Sequence, residues 1–122
     1  MKFSEEKIDQ GYFISSYDQD GISVNGIVLT SSFVVSHEKL LEDWAPGSIA
    51  SLRDDHLQPL IELEPELVLI GTGATLTFPA IENYARLIQH NIGVEIMDSG
   101  AACRTYNILL GEGRKVVAGI II

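Results

Sequence analysis

Two glycines flank a threonine at Gly71-Thr72-Gly73, directly after the apolar run Leu67-Val68-Leu69-Ile70. Small residues at a strand exit let backbone N–H groups approach an anion, and a following helix adds its positive N-terminal end. A dinucleotide fingerprint needs a third glycine three residues on, but position 76 is Leu. The Gly-Lys-Ser/Thr of a phosphate loop is also absent. Further along, Asp98-Ser99-Gly100 falls where a second strand should end and a helix begin, the place where open α/β sheets bind ligands. Arg104, in the second turn of that helix, could reach a carboxylate or phosphate, or pair with Asp98 itself. With Asn107, the candidate crevice is Gly71, Thr72, Gly73, Asp98, Ser99, Arg104 and Asn107. Each also has a structural reading: a tight strand exit, a helix cap, an ion pair. The expectation is that Asp98 and Arg104 bond directly and leave the anion site weak or absent.

Other chemistry has less support. Cys103 lies near the same helix start, where a thiol pKa falls. A catalytic thiol needs a base, however, and none of His37, His56 and His90 sits in a recognisable motif. Cys103 follows Ala101-Ala102 and reads as a packed core residue. Asp54-Asp55-His56 places three metal-ligand types side by side, but adjacent helical residues point apart, so a solvated acidic face is expected. The run Glu62, Glu64, Glu66 is read as solvated too. No metal site and no cofactor are expected.

Charge narrows the partners. The 122 residues include 17 acidic and 8 basic side chains, a formal charge of −9. Such a surface repels phosphate backbones, which excludes nucleic acid as an expected partner. One cysteine excludes a disulfide framework. The start, Met1-Lys2-Phe3-Ser4-Glu5-Glu6, is acidic and polar, unlike a signal peptide or mitochondrial presequence. The most sustained apolar segment, Val116 to Ile122, is far short of the roughly twenty residues that span a bilayer. A cytoplasmic protein that is not membrane-inserted is expected.

The elements that would position these residues can be read in order. Residues 1–36 form an antiparallel β section: Tyr12 to Tyr17, a turn at Asp18-Gln19-Asp20-Gly21, Ile22 to Val24, the hairpin dipeptide Asn25-Gly26, then Ile27 to Thr30 and Phe33 to Val35. Trp44 should plug the core. Ser51 to Leu63 predicts a short helix, which Pro59 disturbs. Residues 66–122 read as β-α-β-α-β: strand Leu67–Ile70, a helix with Pro79 in its first turn and Tyr84, Leu87 and Ile88 on one face, strand Val94–Met97, and a helix capped by Asp98 or Ser99. The last helix carries Ala102, Tyr106, Leu109 and Leu110 as its apolar stripe. Gly111-Glu112-Gly113 stops it, and Lys115 to Ile122 is the final strand. The fold class is α/β: a single three-layer domain over residues 1–122, with a central mixed, mostly parallel sheet flanked by helices.

The ordered blocks Leu69-Ile70-Gly71-Thr72-Gly73, Phe78-Pro79, Gly93-Val94-Glu95-Ile96-Met97-Asp98-Ser99, Ala101 to Leu110 and Glu112-Gly113-Arg114 are distinctive. The Met-Asp-Ser and Thr-Tyr-Asn portion is the specific part. Together they resemble a small domain-of-unknown-function family. Its mitochondrial branch includes the third assembly factor of respiratory complex I, its cytosolic animal branch is linked to adipogenesis, and it has many bacterial members. The resemblance implies a three-layer α/β domain with a mixed sheet and an added antiparallel hairpin. It implies no established enzymatic activity and no known cofactor. Ser99 stands where Thr is common in the family, and Gly111 where a larger residue is usual. Without a presequence, a bacterial cytoplasmic origin is expected rather than the mitochondrial role.

Two functional readings remain. The first is a non-enzymatic interaction protein, an assembly factor for a membrane complex, with protein partners of unknown identity. The alternative is a small-molecule or anion-binding protein, an enzyme included, that uses the strand-end crevice. The oligomeric state is left open.

Overall fold

The structure is a computed structural model and describes residues 11–122. The part of the antiparallel section before residue 11 lies outside the described residues. The chain opens with β1 (Ile14–Asp18), β2 (Gly21–Val24) and β3 (Ile27–Leu29), an antiparallel sheet in the order β1-β2-β3. Asn25 and Gly26 make the tight turn between β2 and β3, both at positive φ. Turns of this kind need positive φ at both central residues, which Asn and Gly tolerate. The Asn25 side chain also accepts from the Phe13 N–H and donates to the Gly11 carbonyl, so the turn holds the incoming chain.

A second sheet has the order β5-β4-β8-β6-β7. Its strands are β4 (Phe33–Ser36), β5 (Leu40–Leu41), β6 (Leu67–Gly71), β7 (Gly93–Met97) and β8 (Val116–Ile120). The β8–β6 and β6–β7 pairings are parallel, while β5–β4 and β4–β8 are antiparallel. The sheet is therefore mixed and mostly parallel, as expected: β5, β8, β6 and β7 run in one direction. The short strand β4 inserts beside β8 and alone runs the other way.

Alternation along the strands divides the core in two. Phe33, Val35, Leu69, Val116, Ala118 and Ile120 face the β1–β3 sheet and the long helix α3 (Ser99–Gly111). Val34, Val68, Ile70, Val117 and Ile121 face the other way, against Trp44, Leu52, Leu57, Leu60 and Leu87. Each fully buried aliphatic side chain contributes roughly 1.5–3 kcal/mol. A one-residue slip would exchange the two faces, so this pattern fixes the register. The result is three layers, as expected.

The second face is covered by short pieces. The stretch expected as one helix over Ser51–Leu63 breaks into 3-10 turns at Ile49–Ser51 and Asp54–Leu57, followed by the one-turn helix α1 (Gln58–Ile61). Pro59 sits in the first turn of α1, where its missing N–H costs nothing. Trp44 is buried on this face and donates its indole N–H to the His56 carbonyl at 2.9 Å.

The helix expected from Pro79 does not start there. Residues 72–80 form a loop, a 3-10 turn covers Ile81–Asn83, and α2 spans only Ala85–Gln89. A proline disfavours the helical region for the residue before it, so Phe78-Pro79 keeps the chain extended. Tyr84, at φ −139° and ψ 23°, separates the turn from α2. The start of α2 is capped from elsewhere: the Asp54 carboxylate accepts from the Arg86 N–H at 2.9 Å and from Arg86 Nε at 3.0 Å. Asp54 is thus structural, not part of a freely solvated face. Glu66 is exposed, as expected, yet it is also engaged. It accepts from the Lys115 N–H at 2.9 Å and pairs with Arg114 at 3.2 Å.

Candidate functional site

β6 leaves the sheet through Gly71, and the chain returns through Asp98 at the end of β7. The β6–β7 connection, with α2, runs over one face, and the β7–β8 connection, α3, over the other. These opposite departures create a crevice between the carboxyl ends of β6 and β7. Thr72 N–H donates to the Met97 carbonyl and extends the parallel ladder one residue into it.

Ser99 fills this crevice. Its side chain is fully buried, accepts from the Gly73 N–H at 2.8 Å and donates to the Ile121 carbonyl. Its own N–H donates to the Gly73 carbonyl at 2.8 Å. One residue therefore ties together the exit of β6, the end of β8 and the start of α3. Asp98 is the N-cap of α3 and accepts from the Ala101 N–H at 2.9 Å. The Ser99 and Ala101 donors that could face an anion are thus engaged by the chain itself. The Thr72 hydroxyl donates to the Thr75 carbonyl at 2.6 Å and accepts from the Thr77 N–H, shaping the loop that follows.

Gly71, Thr72, Gly73, Asp98 and Ser99 therefore stand together, while Arg104 and Asn107 do not join them. No ion pair among the described residues links Asp98 to Arg104, contrary to expectation. Six positions separate them, which puts them roughly 120° apart around a helix of about 3.6 residues per turn. Arg104 is exposed and lines a shallow groove of about 320 Å³ between α3 and β1, with Ser15, Ser16, Tyr17, Cys103 and Asn107. Asn107 acts there as a substitute peptide group. Its oxygen accepts from the Ile14 N–H at 2.9 Å, and its nitrogen donates to the Ile14 carbonyl at 2.6 Å. Tyr106 lies beside it, buried, and donates its hydroxyl to the Tyr12 carbonyl at 2.7 Å.

Cys103 is buried, and burial pushes its thiol up to about 12, partly offset by Arg104. A thiol so protonated at neutral pH is a poor nucleophile. Among the described residues, no group of three His, Cys, Asp or Glu side chains could hold a metal ion. Every buried side-chain nitrogen and oxygen among them has a hydrogen-bond partner.

Sequence reasoning missed two features. One is a cleft of about 440 Å³ at the opposite end of the parallel strands, lined by His37, Leu63, Leu110, Arg114 and Lys115 among others. The adjacent cations Arg114-Lys115 before the last strand were its only sequence signal. The other is the loop after Thr72. Leu76, Phe78 and Ile81 are 50%, 68% and 61% exposed. Their signal was Phe-Pro next to Thr75 and Thr77, a pattern that argues for extended chain. Ile122, also exposed, follows Ile121, whose N–H donates to the Gly71 carbonyl at the same sheet edge.

Comparison with known proteins bears out the resemblance. A family described as Protein of unknown function (DUF498/DUF598) matches residues 14–121. The chain is 30% identical over 127 residues to the 13 kDa major membrane protein of Francisella tularensis, with 99% of each protein covered. It is 32% identical over 115 residues to NADH dehydrogenase (ubiquinone) 1 alpha subcomplex assembly factor 3 of Homo sapiens, covering 92% of this chain and 61% of that protein. A crystal structure of a Bordetella parapertussis protein superimposes with a TM-score of 0.85 at 32% identity, over 90% of this chain and 94% of that one. No helix among the described residues is long and apolar enough to cross a membrane.

Proposed function

This chain belongs to the DUF498/DUF598 family of proteins of unknown function, and from that premise we propose that it is a non-enzymatic interaction protein that assists assembly of a membrane complex. The observation that carries this reading is the loop after β6. Three large apolar side chains, Leu76, Phe78 and Ile81, stand in water within six residues of one another. Their loop springs from the rigid junction wired by Ser99 and by the Thr72 hydroxyl. Clustered exposed apolar side chains on a well-held base are a feature of protein-binding surfaces. The assembly-factor name of the human relative and the membrane-protein name of the Francisella relative agree with this reading. The engaged donors around Ser99 argue against a catalytic centre in the crevice, and the protonated Cys103 argues against one in the groove beside β1. A cytoplasmic location suits a chain whose one cysteine is buried as a thiol.

The test is affinity capture from the native cell after gentle detergent extraction, with quantitative mass spectrometry. Wild-type protein is compared with a Leu76→Ser, Phe78→Ser, Ile81→Ser variant. The reading expects subunits of one membrane complex to be enriched by the wild type and lost by the folded triple variant. Equal capture by both, or no enrichment over a control bait, would overturn it.

A further inference from the structure

Beyond the loop, the outer edge of β7 has an incomplete backbone. Gly93 N–H donates to the Glu66 carbonyl and Thr72 N–H donates to the Met97 carbonyl. These two bonds fix the parity of the strand: residues 93, 95 and 97 direct their backbone groups to β6. Val94 and Ile96 therefore direct an N–H and a C=O each away from the sheet. Among the described residues β7 pairs with β6 alone, and no hydrogen bond reaches those four groups. An edge of this kind is a template for another strand. The usual protections, an edge lysine or a proline, are absent from Gly93-Val94-Glu95-Ile96-Met97.

The side chains along this edge define what fits. Val94 and Ile96 are half-buried and lean on the Trp44 side of the core. Beside them α2, which packs against β7, leaves Ile88 exposed. Glu95 points to the opposite face and is exposed. From residue 80 to 98 the charged side chains are Glu82, Glu95 and Asp98 against one arginine, Arg86, which Asp54 holds. The edge therefore presents apolar surface on one face and, on the other, the Glu95 carboxylate, which has no ion-pair partner among the described residues.

We infer that β7 accepts an extended segment of a partner polypeptide as a sixth strand, with apolar residues beside Val94 and Ile96 and a lysine or arginine beside Glu95. Alternation with period two lets one short segment meet both requirements. A second copy of this chain is a poor occupant. Antiparallel self-pairing brings the two Glu95 carboxylates close, and each chain already carries −9. The inference rests on the protein-binding reading above but concerns a different surface, so the two can fail separately.

The test uses amide NMR of the full chain with two capped seven-residue peptides, one alternating valine and lysine, the other valine and glutamate. The valine–lysine peptide should shift the Val94 and Ile96 amides and slow their hydrogen exchange, and the valine–glutamate peptide should not. Glu95→Lys, at an exposed position, should weaken the first peptide about five- to tenfold and favour the second. Shifts elsewhere with unprotected Val94 and Ile96 amides, or equal binding of both peptides, would overturn the inference. So would protection of those amides by self-association, seen as a doubled mass without peptide. In the capture experiment, Glu95→Lys that keeps every subunit lost by the loop variant would sink this inference and leave the loop reading standing.

Discussion

Ser99 occupies the space that a side chain at position 71 would need. A Cβ on Gly71 would stand 2.8 Å from Ser99 Oγ and 3.0 Å from Ser99 Cα. Glycine is required there by close approach, and the serine that makes the approach also supplies the hydrogen bonds. Gly71→Ala should destabilise the fold by about 1–3 kcal/mol through overpacking. Ser99→Ala should cost about 1–3 kcal/mol by leaving the Gly73 N–H and the Ile121 carbonyl unpaired. Because part of the clash is with Oγ, the double variant should lose less than the sum. Urea unfolding of the four proteins measures this, and strict additivity would refute the shared-space account.

Asn107 and Arg104 lie within one turn of each other, yet their substitutions should differ sharply. Asn107→Leu leaves both backbone groups of Ile14 unpaired, a loss of roughly 1–3 kcal/mol. Amide exchange should quicken first at Ile14 and along β1. Arg104 is exposed and has no ion-pair partner among the described residues. Arg104→Ala should therefore stay within about 0.5 kcal/mol of wild type.

Cys103 sets an alkaline limit. Its folded pKa is raised, so the unfolded chain gives up the proton first as pH climbs past the ordinary thiol range. Stability from this group is whole below that range, falls as pH rises, and levels off near 12. Tyr106, whose hydroxyl is also pushed up by burial, acts in the same direction. Unfolding midpoints measured in alkali should decline less steeply in Cys103→Ala. In the native state a thiol reagent should label Cys103 slowly near neutral pH, and in denaturant quickly.

Glu66 acts at the acid end. The Lys115 N–H and the Arg114 guanidinium hold its carboxyl below the usual range. The unfolded chain therefore binds a proton before the folded one as pH falls. The contribution is present above the unfolded pKa and disappears as pH drops through the folded one. Because Glu66 is exposed, the effect is small and screened by salt. Glu66→Gln should flatten the acid limb of a urea-midpoint curve, and a slope unchanged at low salt would contradict the assignment.

The three layers were legible because burial writes a strict period into strands. Leu67 to Ile70 and Lys115 to Ile122 read as buried strands; Val68 to Ile70 and Val116 to Ile121 are buried, while Lys115 and Ile122 at the ends of the second are exposed. A cap at Asp98 or Ser99 was legible from residue type and place before a helical stripe, and the structure puts it at Asp98. The second face was not legible, since Pro59 and Pro79 break it into turns whose partners lie far away in sequence. Asp54 capping α2 at Arg86 has no local signature. The absent Asp98–Arg104 pair follows from helix geometry, which a six-residue spacing already forbids. Asn107 was picked out beside a crevice, but its peptide-like bond to Ile14 depends on a strand 93 residues away.

A Cβ on Gly119 would lie 2.7 Å from Trp44 Cη2, so the indole ring rests in a hollow of the central strand β8. Trp44 is the one tryptophan in the chain, and it belongs wholly to the face built from turns and short helices. Its fluorescence is therefore an optical reporter for that layer alone. Tyr12 and Tyr106 belong to the opposite layer and Tyr84 to the tryptophan's own, so in a Tyr84→Phe variant near-ultraviolet dichroism from tyrosine gives a separate signal. The molecule thus carries its own pair of spectroscopic probes, one on each side of the sheet, able to distinguish concerted melting from the loosening of a single layer.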